Sequence, residues 1–142
     1  MTSPVAGLAE IVLWARDMER SLGFYRDLFG LELISPPDFP TKFLRAATGP
    51  GGVPEMIVLS QHPDRDGAFP REKPLRTLHH LAFNVAPDRY ESLRSSCEAA
   101  GLEVRTGIHP VLKGVQTFYV DDPDGNEVEC ISPAEPGAKT LP

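Results

Sequence analysis

The chain repeats itself. Gly30-Leu-Glu-Leu33 returns as Gly101-Leu-Glu-Val104, 71 residues on, and the strand before each helical pattern aligns when Glu10 is laid over His80, 70 residues on. One residue inserted in the second helical region accounts for the difference. A period of this size means two copies of one supersecondary unit, neither of which can bury its apolar face alone.

Each copy reads β-α-β-β-β. In the first, Leu8 to Ala15 has the β-branched, apolar character of a strand, and Asp17 stands where a helix N-cap belongs. Met18, Leu22, Tyr25 and Leu28 then recur at helical spacing until Gly30 ends the helix. Leu31 to Ile34, Phe43 to Ala47 and Glu55 to Ser60 follow as strands, parted by a proline-rich loop and by Gly49-Pro-Gly-Gly52. In the second copy Leu78 to Val85 is the leading strand, and Asp88 with Glu91 has capping-box spacing. Tyr90, Leu93, Cys97 and Ala100 form the stripe, Gly101 the stop, and strands are expected from Leu102, from Gly114 and from Glu127. The expected organisation is one domain over residues 1–142: module one at 7–61, a connector at 62–77, module two at 78–132 and a flexible tail at 133–142. The fold class is α+β, with the two tandem modules forming a curved open sheet around a central cleft.

Charge narrows the partners. The chain has 14 Lys and Arg against 20 Asp and Glu, a net charge of -6, with the cations scattered. That argues against nucleic acid or an anionic membrane surface. No apolar run approaches the roughly 20 residues that span a bilayer, and the N-terminus lacks the pattern of a secretory signal. Cys97 and Cys130 lack metal-type spacing and sit inside periodic segments, as buried free thiols of a reducing compartment do. A cytoplasmic protein handling a small molecule is the expectation.

The repeat places four residues at equivalent mid-strand positions: Glu10, Val58, His80 and Glu129. Three of them are metal-ligand types. Glu129 is the oddest, a carboxylate in mid-strand two residues from Ile131. Alternation puts Glu10, Val12 and Trp14 on one face and Ile11 and Leu13 on the other; likewise His80, Ala82 and Asn84 oppose Leu81, Phe83 and Val85. Taken singly, a strand histidine can be a satisfied half-buried residue and a strand glutamate a solvated one. Core packing alone does not explain a partition in which the polar residues share one face. His79 is expected to point away from His80, and His62 to begin the connector; neither is counted in the site. Trp14 suits either a ligand-facing wall or the core.

Glu10-Ile-Val-Leu-Trp-Ala-Arg-Asp17, Phe24-Tyr-Arg-Asp-Leu-Phe-Gly-Leu31, His79-His-Leu-Ala-Phe-Asn-Val85 and Tyr119-Val-Asp-Asp-Pro-Asp-Gly-Asn-Glu-Val-Glu129 resemble the vicinal oxygen chelate superfamily. That group holds glyoxalases, extradiol ring-cleaving dioxygenases, fosfomycin-resistance transferases, methylmalonyl-CoA epimerases and bleomycin-binding proteins. The resemblance runs from about Gly7 to Ser132, and the segment ending at Glu129 is its most specific part.

The resemblance implies a divalent-metal enzyme acting on a small substrate that chelates through vicinal oxygens, dioxygenase-like or of the glyoxalase lyase and isomerase type. The alternative is a non-catalytic binding protein of the bleomycin-resistance kind. It assigns His80 and Glu129 as metal ligands and Glu10 as a third, where the family usually has His. Val58 falls at a fourth ligand position and cannot ligate, which leaves an open site. Oxygen ligands favour Fe(II) or Mn over Zn, with Mg also compatible. Tyr119 and His109 fall at the spacing of a catalytic tyrosine and a second histidine, to hold an oxyanion and to move a proton. The resemblance also implies a homodimer.

Overall fold

The computed structural model describes residues 3–141. Two compact units divide the chain, the first ending at Gly67 and the second beginning at Ala68. In the first, strands β1 (Glu10–Ala15), β2 (Glu32–Leu33), β3 (Lys42–Ala47) and β4 (Glu55–Gln61) form a sheet of order β1-β4-β3-β2. In the second, β5 (Leu81–Asn84), β6 (Arg105–Gly107), β7 (Val115–Asp121) and β8 (Glu127–Pro133) form a sheet of order β5-β8-β7-β6. In both, the outer leading strand is parallel to its neighbour and the other pairs are antiparallel.

The register makes the duplication exact at the level of residues. Val58 lies between Val12 and Phe43, and Glu129 lies between Ala82 and Tyr119. The apolar row Val12-Val58-Phe43 of one sheet thus corresponds to Ala82-Glu129-Tyr119 in the other, which carries a carboxylate and a hydroxyl. The two tandem β-α-β-β-β modules, and the α+β class, are as the sequence leads one to expect.

Helix α1 (Met18–Leu22) begins where Asp17 accepts from the Arg20 N–H at 3.1 Å. It continues as a π-helical turn, Gly23–Leu28, in which Phe29 N–H reaches the Phe24 carbonyl. The wider turn adds Phe24 to the buried stripe of Met18, Leu22 and Tyr25. In the second unit α2 (Tyr90–Ala99) buries Tyr90 and Cys97, and the Tyr90 ring meets Phe118 edge-on at 5.2 Å. Gly30 and Gly101 close the helical segments at φ of 76° and 82°.

Three of the boundaries that differ from expectation have a local cause. The Asp88 capping box does not form: Pro87–Arg89 is a 3-10 turn, and its Arg89 N–H donates to Ala86 O. The turn moves the N-cap position of α2 to Arg89, whose side chain makes no capping bond, and leaves Asp88 outside the cap. The strand expected from Leu102 starts at Arg105, because Leu102 N–H still closes α2 by bonding Cys97 O. The strand expected from Leu78 starts at Leu81. Leu81 pairs with Val128, one residue into β8, so His79 and His80 precede the ladder.

Candidate metal-binding face of the second unit

The β7–β8 connection is built by Asp122. Its Oδ1 accepts from Asp124 N–H at 2.9 Å and Asn126 N–H at 2.8 Å, and its Oδ2 from the Asn126 amide at 2.9 Å. Gly125, at φ 79°, completes the turn. This fixes the register of β8 against β7, so Tyr119 faces Glu129 and Asp121 faces Glu127. Arg105 joins the first row, opposite Tyr119. Side chains paired in register, and those two apart on one strand, share a face. One face therefore carries Arg105, Tyr119, Asp121, Glu127 and Glu129.

Glu129 is the centre of this face. Its side chain is only 3% exposed, yet neither Lys nor Arg touches it among the described residues. The Tyr119 hydroxyl donates to Oε1 at 2.8 Å, and His80 Nε2 lies 3.2 Å from Oε2. The partner of Glu129 in register on β5 is Ala82. Burial first, then donation to the Glu129 carboxylate, push the Tyr119 hydroxyl above its ordinary pKa. It stays protonated, and so a donor, at neutral pH.

His79 is where alternation misleads. Ahead of the β5 ladder its side chain is not forced to the opposite face, and its Nδ1 stands 2.7 Å from His80 Nδ1. One of those nitrogens carries a proton and the other accepts it. When His80 is the donor, its Nε2 lone pair is left facing Glu129, the tautomer a ligating imidazole requires. Donor atoms of His79, His80 and Glu127 all lie within 4.8 Å of one another.

Glu127 is tied on its other side. Lys73 Nζ bonds it at 2.6 Å and Arg105 Nη2 at 3.2 Å, while Arg105 also reaches Asp121 at 2.8 Å. Burial would raise the Glu127 carboxyl, but Lys73 and Arg105 outweigh it and hold the group below its usual range. Glu127 shares a strand face with Glu129, a signal present in the alternation; Lys73 and Arg105 carry no such signal.

The remaining expected residues are placed as follows. Glu10 opens β1 in the first unit, exposed and paired in register with Met56. Val58 is 2% exposed in the first unit's core. His109 Nδ1 accepts from Val111 N–H at 3.2 Å and Leu112 N–H at 2.9 Å. No hydrogen bond or ring contact joins it to His80, Tyr119 or Glu129 among the described residues. Trp14 is half exposed and stands edge-on to His62, with ring centroids 5.3 Å apart. Cys97 and Cys130 are buried and free. Among the described residues no helix is long and apolar enough to cross a membrane.

The donor set fits a divalent cation. A buried carboxylate without a basic side chain needs either an imidazolium or a metal to balance it. The 3.2 Å between His80 Nε2 and Glu129 Oε2 suits two neighbouring ligands with bonds of about 2.1 Å to one ion.

Comparison with known proteins agrees with this architecture. A lactoylglutathione lyase of Neisseria meningitidis serogroup A is 29% identical over 126 residues, covering 87% of this chain and 88% of that one. A catechol-2,3-dioxygenase of Bacillus subtilis is also 29% identical over 126 residues, but the match spans only 39% of its length. The crystal structure of a glyoxalase/dioxygenase from Nostoc punctiforme superposes with a TM-score of 0.70 at 21% identity, covering 95% of this chain and 97% of that one; it shares the fold. Residues 7–130 match the model of one family, and the chain belongs to it: the Glyoxalase/Bleomycin resistance protein/Dioxygenase superfamily.

Proposed function

We propose that the protein is a metal-dependent enzyme on a small substrate that offers two neighbouring oxygens, with His80 and Glu129 as ligands and Tyr119 as the catalytic hydroxyl. The observation that carries this is the buried Glu129 carboxylate, balanced by an imidazole and a hydroxyl instead of a basic side chain. The proposal keeps Glu10 as a third ligand, on the strength of its equivalence to His80 in the repeat. A site of one His and two carboxylates would prefer Fe(II) or Mn to Zn.

A divalent ion bound there would act as a Lewis acid toward substrate oxygens. The rest falls to the chain. Tyr119, held protonated beside Glu129, has a single O–H to give, so it would donate to a substrate oxygen that gains charge by turning that proton away from Glu129 Oε1. His79 fixes the tautomer of His80. His109 enters only through Nε2, because its Nδ1 accepts two backbone N–H groups. We take the working unit to be a homodimer, which light scattering behind a sizing column would read.

The named relatives supply the assays. After anaerobic loading with Fe(II) or Mn, oxygen uptake on a catechol is compared with formation of lactoylglutathione. Turnover in either, lost in Tyr119→Phe and in His80→Ala, supports the proposal. Turnover in neither, with no rise in Tm on adding Mn or Fe(II), would sink it. A second reading, a binding protein that sequesters a small molecule, is favoured by Val58, since the first module offers no ligand at its counterpart of Glu129. Under that reading His80→Ala leaves ligand binding intact.

A further inference from the structure

The 62–77 segment reads as a connector, yet its cations are built into the second unit. Arg76 lies over the β7–β8 turn, where Nε donates to Pro70 O at 2.6 Å, Nη2 to Asp124 O at 2.8 Å and Nη1 to the Asn126 side-chain oxygen at 3.5 Å. All three acceptors are neutral. The guanidinium is thus oriented without a carboxylate bonded to it, and two of its five N–H donors are left over. Gly125 makes room for it: a Cβ there would stand 2.8 Å from Arg76 Nη2.

Beside Arg76 is a cavity of about 220 Å³, lined also by Arg71, Lys73, Arg105, His79 and Glu127. Arg71 makes no hydrogen bond or ion pair among the described residues. The other charged groups of the wall are Glu103 and Asp121. Lys73 is balanced by Glu127, and Arg105 by Asp121 and Glu127. Four cations therefore face three carboxylates, a local positive excess in a chain whose net charge is -6. Arg71 and Arg76, neither bonded to a carboxylate, outnumber Glu103 in that wall and supply the excess of one charge.

We propose that this cavity is an anion-binding pocket, taking the carboxylate or phosphate group of a small ligand between Arg71 and Arg76. Guanidinium forks recognise both groups by paired, charge-assisted hydrogen bonds. A volume of about 220 Å³ holds one such headgroup and is below the size of a drug-like site. His79 and Glu127 belong both to this wall and to the cluster around His80. A substrate reacting beside His80 and Glu129 would extend its anionic end into this pocket. That last step rests on the proposed function; the pocket itself does not.

The test uses the metal-free full chain, so that it is independent of metal uptake. Inorganic phosphate and malonate are titrated separately at constant ionic strength, following ¹H–¹⁵N signals of the Gly125 amide and Arg76 Nε. Saturable shifts at both positions are expected with at least one anion, and the tighter one identifies the headgroup. Arg71→Gln, which removes a side chain that holds nothing in the fold, should leave Tm unchanged and weaken binding about tenfold. Arg76→Gln should abolish it. Should Arg76→Gln not fold, Arg71→Gln alone decides. Shifts that do not saturate with either anion, or an affinity unmoved by Arg71→Gln, would overturn the pocket. A chain that binds anion but no metal would keep the pocket and refute the enzyme proposal.

Discussion

Tyr119 and Glu129 face each other across the β7–β8 ladder, with the tyrosine hydroxyl 2.8 Å from Oε1 of a carboxylate that is almost wholly buried. Removing the hydroxyl leaves that oxygen without its donor. Tyr119→Phe is expected to fold and to lose about 1–3 kcal/mol of stability. Urea unfolding checks this: the midpoint should fall with the slope unchanged.

His79 acts through His80. With its Nδ1 2.7 Å from that of His80, it would, as the acceptor of that pair, hold the tautomer that leaves Nε2 for a ligand. His79→Ala should weaken Mn(II) binding by about 10–100-fold without changing the stoichiometry. His79→Asn, whose side-chain oxygen can accept from His80, should recover part of the loss. Calorimetric titration of both variants reads this.

The Glu127–Lys73 pair gives stability an acid limb. Lys73 and Arg105 hold the Glu127 carboxyl below its ordinary value of 4.5 in the fold. A depressed folded-state pKa contributes stability above the unfolded value, and that contribution is lost as pH falls through the folded one. Wild type should therefore exceed Lys73→Met in stability at pH 7, and the gap should close as pH drops below about 4. Urea midpoints of the two proteins from pH 3 to 7 measure it; a gap that widens toward acid would contradict the pairing.

Cys97 should be inert in the native state. It is fully buried, and burial raises its thiol to about 11. At pH 8 only about one thiol in a thousand is ionised, before any barrier to access is counted. A chromogenic disulfide reagent should find both cysteines only after unfolding. Fast modification of Cys97 in the native protein would show that α2 opens.

Much of this was readable in the sequence because local chemistry and tertiary register agree. The 70- and 71-residue offsets reappear as matched ladders, Val12 with Val58 and Ala82 with Glu129. Gly30, Gly101 and the Asp122 turn stand where their backbone freedom or side-chain acceptor is needed. The exceptions have local physical causes. Alternation sets His79 opposite His80, but it binds only residues inside a ladder, and β5 starts at Leu81. Asp88 has the residue type and spacing of a cap, but it lies inside the backbone turn that begins at Pro87. Lys73, Arg76 and Arg105 left no trace in the pattern, because their partners on β7, β8 and the turn between them lie 16 to 54 positions away in the chain and no periodicity encodes such pairing.

The most direct test of the account is a Mn(II) titration of metal-free wild type beside Glu129→Gln and His80→Ala, with far-ultraviolet circular dichroism to confirm that each variant is folded. The account predicts one saturable Mn(II) per wild-type chain and none in either folded variant. No saturable binding by wild type, or equal binding by folded Glu129→Gln, would contradict it.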